Sequence, residues 1–92
     1  MKDQYKNGQM KQQVNAGIQT HYFEDGTIKA TGPFDGQMQG EWRFFRKSGE
    51  LWQIGNLKQD IKNGPWIRFD RSGHIEKETA FENGEEVKKN KK

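Results

Sequence analysis

The chain has 92 residues, of which 29% are hydrophobic and 32% are charged, and it contains no cysteine. This length suits one small domain and excludes two independent hydrophobic cores, while the lack of cysteine excludes a disulfide framework and a thiolate metal site. The net charge of +3 belongs to the two ends, because residues 21–81 carry nine basic and nine acidic side chains. Composition therefore predicts no basic face of the kind that binds nucleic acid.

Residues 1–16 are predicted to form a degenerate N-terminal cap. The segment Tyr5-Lys6-Asn7-Gly8 resembles Phe81-Glu82-Asn83-Gly84, yet the spacing that follows it fits no later copy. The first 20 residues contain no apolar stretch of the ~7 residues that a secretory signal needs. We therefore expect a cytoplasmic protein, or a surface or secreted one if the chain is a fragment.

Residues 17–87 are predicted to form a repeat domain. Gly40-Glu41-Trp42-Arg43-Phe44-Phe45 is matched 24 positions later by Gly64-Pro65-Trp66-Ile67-Arg68-Phe69. An earlier copy starts at Gly17 with an offset of 23, and either Tyr22 or Phe23 holds its aromatic position. We place the missing residue at Glu24-Asp25-Gly26-Thr27, which suits a two-residue type I′ turn, whereas Arg46-Lys47-Ser48-Gly49 suits a type I turn with a glycine bulge.

Each copy alternates its side chains with a period of two around a turn, which predicts strand-turn-strand units, while Gly and Pro interrupt every window of helical length. A lone hairpin is marginal in water. The predicted fold is therefore all-β, an open single-layer antiparallel meander of tandem hairpins. Gly32 and Gly55 are expected to lie under aromatic rings, and Phe45 to face the core. Residues 88–92 have no apolar side chain and are predicted to be a flexible, Lys-rich tail.

These residues resemble a known family. The segments Tyr22–Gly32 and Asn63–Ile75 are similar to the bacterial MORN-repeat variant, and the resemblance covers about residues 17–87. It implies open arrays of β-hairpins rather than an enzyme class. It also implies the label of the YwqK-type antitoxin group of toxin–antitoxin systems, and the lipid-binding or scaffolding roles discussed for MORN repeats. Asp60 and Thr79 depart from the family pattern, which has glycine at both positions.

Catalytic and metal-binding constellations are not predicted. Ser48 and Ser72 occupy turn positions next to glycine, where a hydroxyl bonds to local backbone. His21 and His74 lack the ligand spacing of a zinc site. We expect no catalytic residue, no metal, no cofactor and no small-molecule substrate, and we expect that the chain is not an enzyme.

The candidate binding residues are Trp52, Ile54 and Phe44. The positions of Trp52 and Ile54 are polar in the other copies, and Phe44 aligns with Arg68. Apolar side chains where the repeat elsewhere has polar ones indicate a contact patch. The alternative, that they thicken a core on the second face or are covered by residues 1–16, stays open.

The leading hypothesis is a non-enzymatic protein-binding or scaffolding module, antitoxin-like or immunity-like. It would bind another protein, or a second copy of itself, through this patch or an open strand edge. The alternative is a peripheral membrane module that binds lipid through the Lys-rich tail, with exposed Trp as an anchor. Single-stranded nucleic-acid binding ranks third, because the repeat region is neutral.

Overall fold

Within residues 4–87, which the computed structural model describes, the chain forms eight strands and no helix. The strands are β1 Gln12–Asn15, β2 Ile18–Tyr22, β3 Ile28–Pro33, β4 Gly40–Phe45, β5 Leu51–Lys58, β6 Ile61–Phe69, β7 Ile75–Glu82 and β8 Glu85–Glu86. They form one antiparallel sheet in which every strand pairs with its neighbours in the chain. The predicted all-β fold, an open single-layer meander of hairpins, is confirmed. This part of the chain offers no helix that could cross a membrane.

Four five-residue loops at one end of the strands share a hydrogen-bond pattern. The first residue donates its N–H to the carbonyl of the fifth, and its own carbonyl accepts the N–H of the fourth, a glycine with φ between 88° and 100°. These loops begin at Tyr5, Phe23, Arg46 and Asp70. Each is a type I turn followed by a left-handed glycine, the geometry typical of a hairpin with a glycine bulge.

The type I′ turn predicted at residues 24–27 is therefore wrong. Gly26 has a positive φ and Asp25 does not. The Asp25 carboxylate instead accepts the Thr27 N–H at 3.0 Å, which holds the type I conformation. The aromatic position of this first copy belongs to Tyr22, which pairs with Ile28 just before the loop.

Type I′ turns connect strands at the other end of the sheet. Ala16-Gly17, Gln59-Asp60 and Asn83-Gly84 each place two consecutive residues at φ between 53° and 90°. The fourth connection, residues 34–39, is different, because Gly36 alone is left-handed there, at φ 107°. The missing residue of the first copy lies in this loop, and the Asp60 carboxylate of the neighbouring turn supports the loop by accepting the Met38 N–H at 2.7 Å.

Residues 4–16 continue the sheet. Strand β1 pairs with β2 from Gln12 opposite His21 onward, and the Tyr5 hydroxyl donates to the Tyr22 carbonyl at 2.9 Å. The boundary drawn between a cap at 1–16 and a repeat domain at 17–87 falls inside the first type I′ turn. The predicted tail, residues 88–92, lies outside the described residues.

One face of the sheet, which we call the tryptophan face, carries the core. Trp42 has no exposed surface and Trp66 is 7% exposed. Trp42 lies over Gly32 and Trp66 over Gly55, so that a Cβ at either glycine would overlap the ring. Each indole N–H donates to the carbonyl of the residue after that glycine, at 2.9 and 2.8 Å. The expectation that these two glycines lie under aromatic rings is confirmed.

The core continues across the strands as a series of rings. Neighbouring centroids lie 5.6–6.3 Å apart along His21, Trp42, Phe44, Trp66 and Phe81. Burial lowers the pKa of His21 below its usual value of 6.5, and the charge of a nearby lysine lowers it further. The imidazole is thus neutral at neutral pH and packs as the first ring of the series.

Candidate binding site

The structure separates the three residues that the sequence grouped into one patch. Trp52 and Ile54 are half-buried on the face of β5 that points away from the tryptophans, which we call the opposite face. Phe44 lies on the tryptophan face, where its ring stacks on Trp66 with centroids 5.6 Å apart. Phe44 is therefore part of the aromatic core and does not share a surface with the other two.

Strand pairing explains the position of Phe44. It pairs with Gln53, while Trp42 on the same strand pairs with Gly55. Because side chains alternate along a strand, Phe44 shares the face of Trp42 and Phe45 follows on the opposite face. The core position expected for Phe45 is thus taken by Phe44.

One row of side chains crosses four strands on the opposite face. Arg43 pairs with Ile54, Ile54 with Ile67, and Ile67 with Glu78. Directly opposite residues have Cβ atoms roughly 4.5–5.5 Å apart. The row therefore has an apolar centre with a cation at one end and an anion at the other. Trp52 enlarges the apolar centre from two positions along β5.

Strands β6 and β7 form a shallow recess on the tryptophan face, which we call the basic recess. Its lining consists of Gln53, Lys62, Trp66, Arg68, Lys77, Thr79 and Phe81. The Lys62 ammonium lies 4.7 Å from the ring centroids of both Trp66 and Phe81. This cation–π geometry holds a positive charge over the aromatic floor.

Charges are sorted between the two faces along β7. Glu76, Lys77 and Glu78 are consecutive, and alternation sends Lys77 to the tryptophan face and Glu78 to the opposite face. Arg68 pairs with Lys77 in register, and its Nε lies 3.7 Å from a Glu76 carboxylate oxygen. Within residues 4–87, neither Lys62 nor Lys77 has a carboxylate oxygen within 4.0 Å. Two of the three cations in the recess therefore lack an acidic partner in the described part of the chain.

The basic recess was not predicted from the sequence, although the repeat offset contains a signal for it. The residues 24 positions before Arg68, Lys77 and Thr79 are a phenylalanine, a glutamine and a glycine. The third copy thus replaces a ring, an amide and a glycine with two cations and a hydroxyl. The neutral composition of residues 21–81 concealed this change, because an average over the chain does not record on which face each charge lies.

Two acidic side chains of the described residues have lowered pKa values, and both lie in turns. The Thr27 hydroxyl lowers the pKa of Asp25, and the His74 backbone N–H lowers the pKa of Asp70. Asp70 also accepts the Ser72 N–H at 2.9 Å. Across residues 4–87 there is no group of three or more His, Asp or Glu side chains that could hold a metal ion. These carboxylates stabilise loops and do not form a site.

Three stretches of the chain, residues 17–35, 38–59 and 62–83, match the family profile of the MORN repeat variant. They span more than half of the chain and follow one another with short gaps. The chain belongs to the MORN repeat variant family. Each MORN match corresponds to one hairpin, formed by β2 and β3, β4 and β5, or β6 and β7. No curated protein and no solved structure matches the chain.

Proposed function

We propose that this MORN repeat variant chain is a non-enzymatic protein-binding module that captures an acidic segment of a partner protein in the basic recess. The observation that supports it is the convergence of Lys62, Arg68 and Lys77 on one recess, where two of the three lack an acidic partner among residues 4–87. Carboxylates of a partner would form charge-assisted hydrogen bonds with these groups, which are stronger than neutral ones. A flat sheet could present this recess to a partner without a deep cleft.

The burial of the Trp66 ring favours a carboxylate over a nucleobase as the ligand group. Stacking a base requires an accessible aromatic face. Trp66 is only 7% exposed, because Phe44 stacks on the ring and the Lys62 ammonium lies over it. Lys62 and Lys77 are exposed, whereas Trp66 is buried and Phe81 is only partly exposed. The carboxylate of Glu76 beside Arg68 shows that the rim can hold such a group.

The narrower antitoxin-like or immunity-like role is one form of this proposal, in which the acidic partner is a toxin protein. Its support is the resemblance of the repeats to the YwqK-type antitoxin group. A scaffolding role is another form, in which the chain binds more than one partner at once. Both forms require a protein ligand, and so the first experiment addresses that requirement.

The test is an NMR titration of the chain with a peptide of alternating Gly and Glu, compared with its Gly and Gln counterpart. The acidic peptide should shift the Trp66 indole N–H and the amides of β6 and β7, and the shifts should fade as salt screens the charges. Lys77→Glu should raise the dissociation constant by about tenfold. Lys58→Glu is the matched control, because it makes the same charge change on the opposite face of β5.

Two results would contradict the proposal. One is equal binding of the acidic and the neutral peptide, or binding that Lys77→Glu leaves unchanged. The other is binding to vesicles that contain phosphatidylserine with no binding of the acidic peptide, which would favour the membrane-surface alternative. A vesicle arm with and without phosphatidylserine therefore belongs in the same experiment.

A further inference from the structure

We infer that the opposite face is a self-association surface, on which a second copy of this chain packs face to face. This inference does not depend on the proposed function, which uses the tryptophan face. A sheet with an apolar face is stable when a second layer covers that face. In the part of the chain that the structure describes, the buried apolar residues are Ala30, Trp42 and Trp66, all on the tryptophan face. Trp52, Ile54 and Ile67 stay partly exposed on the other side.

The row from Arg43 to Glu78 identifies the occupant by charge. In order across β4 to β7 it reads cation, aliphatic, aliphatic, anion, and the Arg43 guanidinium also lies 3.1 Å from the carboxylate of Glu41 on its own strand. A two-fold axis parallel to the strands, between β5 and β6, reverses this order in the second copy. Arg43 of each copy then faces Glu78 of the other, and Ile54 faces Ile67. The row is therefore complementary to itself, as an isologous interface requires.

The other symmetric arrangement conflicts with these charges. A two-fold axis perpendicular to the strands keeps the order of the row, so that Arg43 faces Arg43 and Glu78 faces Glu78. Like charges in direct contact disfavour a complex. Sheets that pack face to face keep their strand directions within about 30° of each other. Only the axis parallel to the strands satisfies both conditions.

The area of this surface sets the expected strength of the dimer. Four strands at ~4.8 Å spacing and eight residues at ~3.3 Å rise give a face of about 19 by 26 Å, or roughly 500 Å² per copy. The total of about 1,000 Å² lies at the low end for specific interfaces. We therefore expect a weak dimer, with a dissociation constant of roughly 10 μM to 1 mM at low salt.

Sedimentation equilibrium over a wide range of protein concentrations tests the inference, with charge reversals at the two ends of the row. Arg43→Glu and Glu78→Arg each bring like charges together, and each should raise the dimer dissociation constant by about tenfold. The double variant restores opposite charges and should return the constant to within about threefold of the wild-type value. Arg43→Glu also breaks the ion pair with Glu41, but the two side chains are 55% and 50% exposed, where such a pair contributes little to stability. A urea denaturation curve for each variant checks that the fold is kept.

Matched controls separate this surface from general charge effects and from the recess. Lys47→Glu and Glu24→Arg make the same charge changes in exposed loops and should leave the dimer unchanged. Lys77→Glu should also leave it unchanged, because Lys77 lies on the tryptophan face. A chain that stays monomeric at 1 mM or above would overturn the inference. So would a dimer that the double variant does not restore, or one that Lys77→Glu disrupts.

Discussion

Glycine at two strand positions allows tryptophan to pack on a sheet that has one layer. Gly55 does not have a positive φ, so its backbone conformation is open to any residue. What excludes a side chain there is the Trp66 ring, which a Cβ would overlap. The same holds for Gly32 under Trp42. The glycines therefore supply space for the indoles and not conformational freedom.

Gly55→Val is expected to destabilise the chain by about 1–3 kcal/mol, because Trp66 must move away from the strand to admit the new side chain. Urea denaturation followed by tryptophan fluorescence measures the change. Thr79→Val is the matched control: Thr79 holds the equivalent position in the third copy, already carries a β-branched side chain, and should change stability by no more than about 0.5 kcal/mol. Equal losses for the two variants would show that steric exclusion by Trp66 is not the reason for the glycine.

At the scale of the element, the type I′ turns differ in how well their residues suit the left-handed region. Asn83-Gly84 is the combination that such turns favour, whereas Ala16-Gly17 places alanine at φ 53°. Alanine gains nothing there to offset its steric strain, while asparagine tolerates this conformation through local hydrogen bonding. Placing asparagine in the first turn and alanine in the last therefore tests the same preference in both directions.

Ala16→Asn should stabilise the chain by about 0.5–1 kcal/mol, and Asn83→Ala should destabilise it by a similar amount. Thermal or urea denaturation of the two single variants gives both values. Ala16→Gln adds a polar side chain without the left-handed preference, and it should leave stability unchanged. If Ala16→Gln stabilised the chain as much as Ala16→Asn, the gain would come from solvation of the turn and not from relief of backbone strain.

The repeat offset predicted the hairpins, the single sheet and the glycines under the tryptophans, because these depend on spacing within one copy. It assigned the core position to Phe45 and not to Phe44, because the register shift beyond Phe44, which pairs Phe45 with Leu51, cannot be read from the repeat spacing. The residue missing from the first copy was also misplaced. A gap in a repeat can be absorbed by either turn, and the first turn keeps the same five-residue hydrogen-bond pattern as the loops that begin at Arg46 and Asp70.

The basic recess could not be predicted from periodicity for a related reason. Its cations interrupt the repeat, and they come from two strands whose side chains meet only after pairing. Arg68 and Lys77 emerge as a cluster when equivalent positions on the same face of the sheet are compared between the repeat copies, and not when only the shared residues are sought. Sites in repeat proteins arise where copies differ, whereas the fold comes from what the copies share.

At the scale of the whole molecule, stability should vary along the array. Each strand of the described sheet pairs only with its neighbours in the chain, so its two edges do not meet. In such arrays stability is approximately a sum of unit and nearest-neighbour terms, and a unit at an end has one neighbour where a central unit has two. The tryptophans that anchor the core lie on β4 and β6, near the middle of the sheet.

Native-state hydrogen exchange should therefore show the highest protection in β4, β5 and β6, and protection lower by at least about tenfold in β1 and β8, which can open without unfolding the centre. The measurement belongs at concentrations where the chain is monomeric, because a dimer through the opposite face would itself protect β4 to β7. Uniform protection from β1 to β8 would mean that the array unfolds as one cooperative unit. The basic recess lies on β6 and β7, between the protected centre and the C-terminal edge. The gradient of protection therefore predicts that β7, on one side of the recess, exchanges its amide hydrogens faster than β6 on the other side.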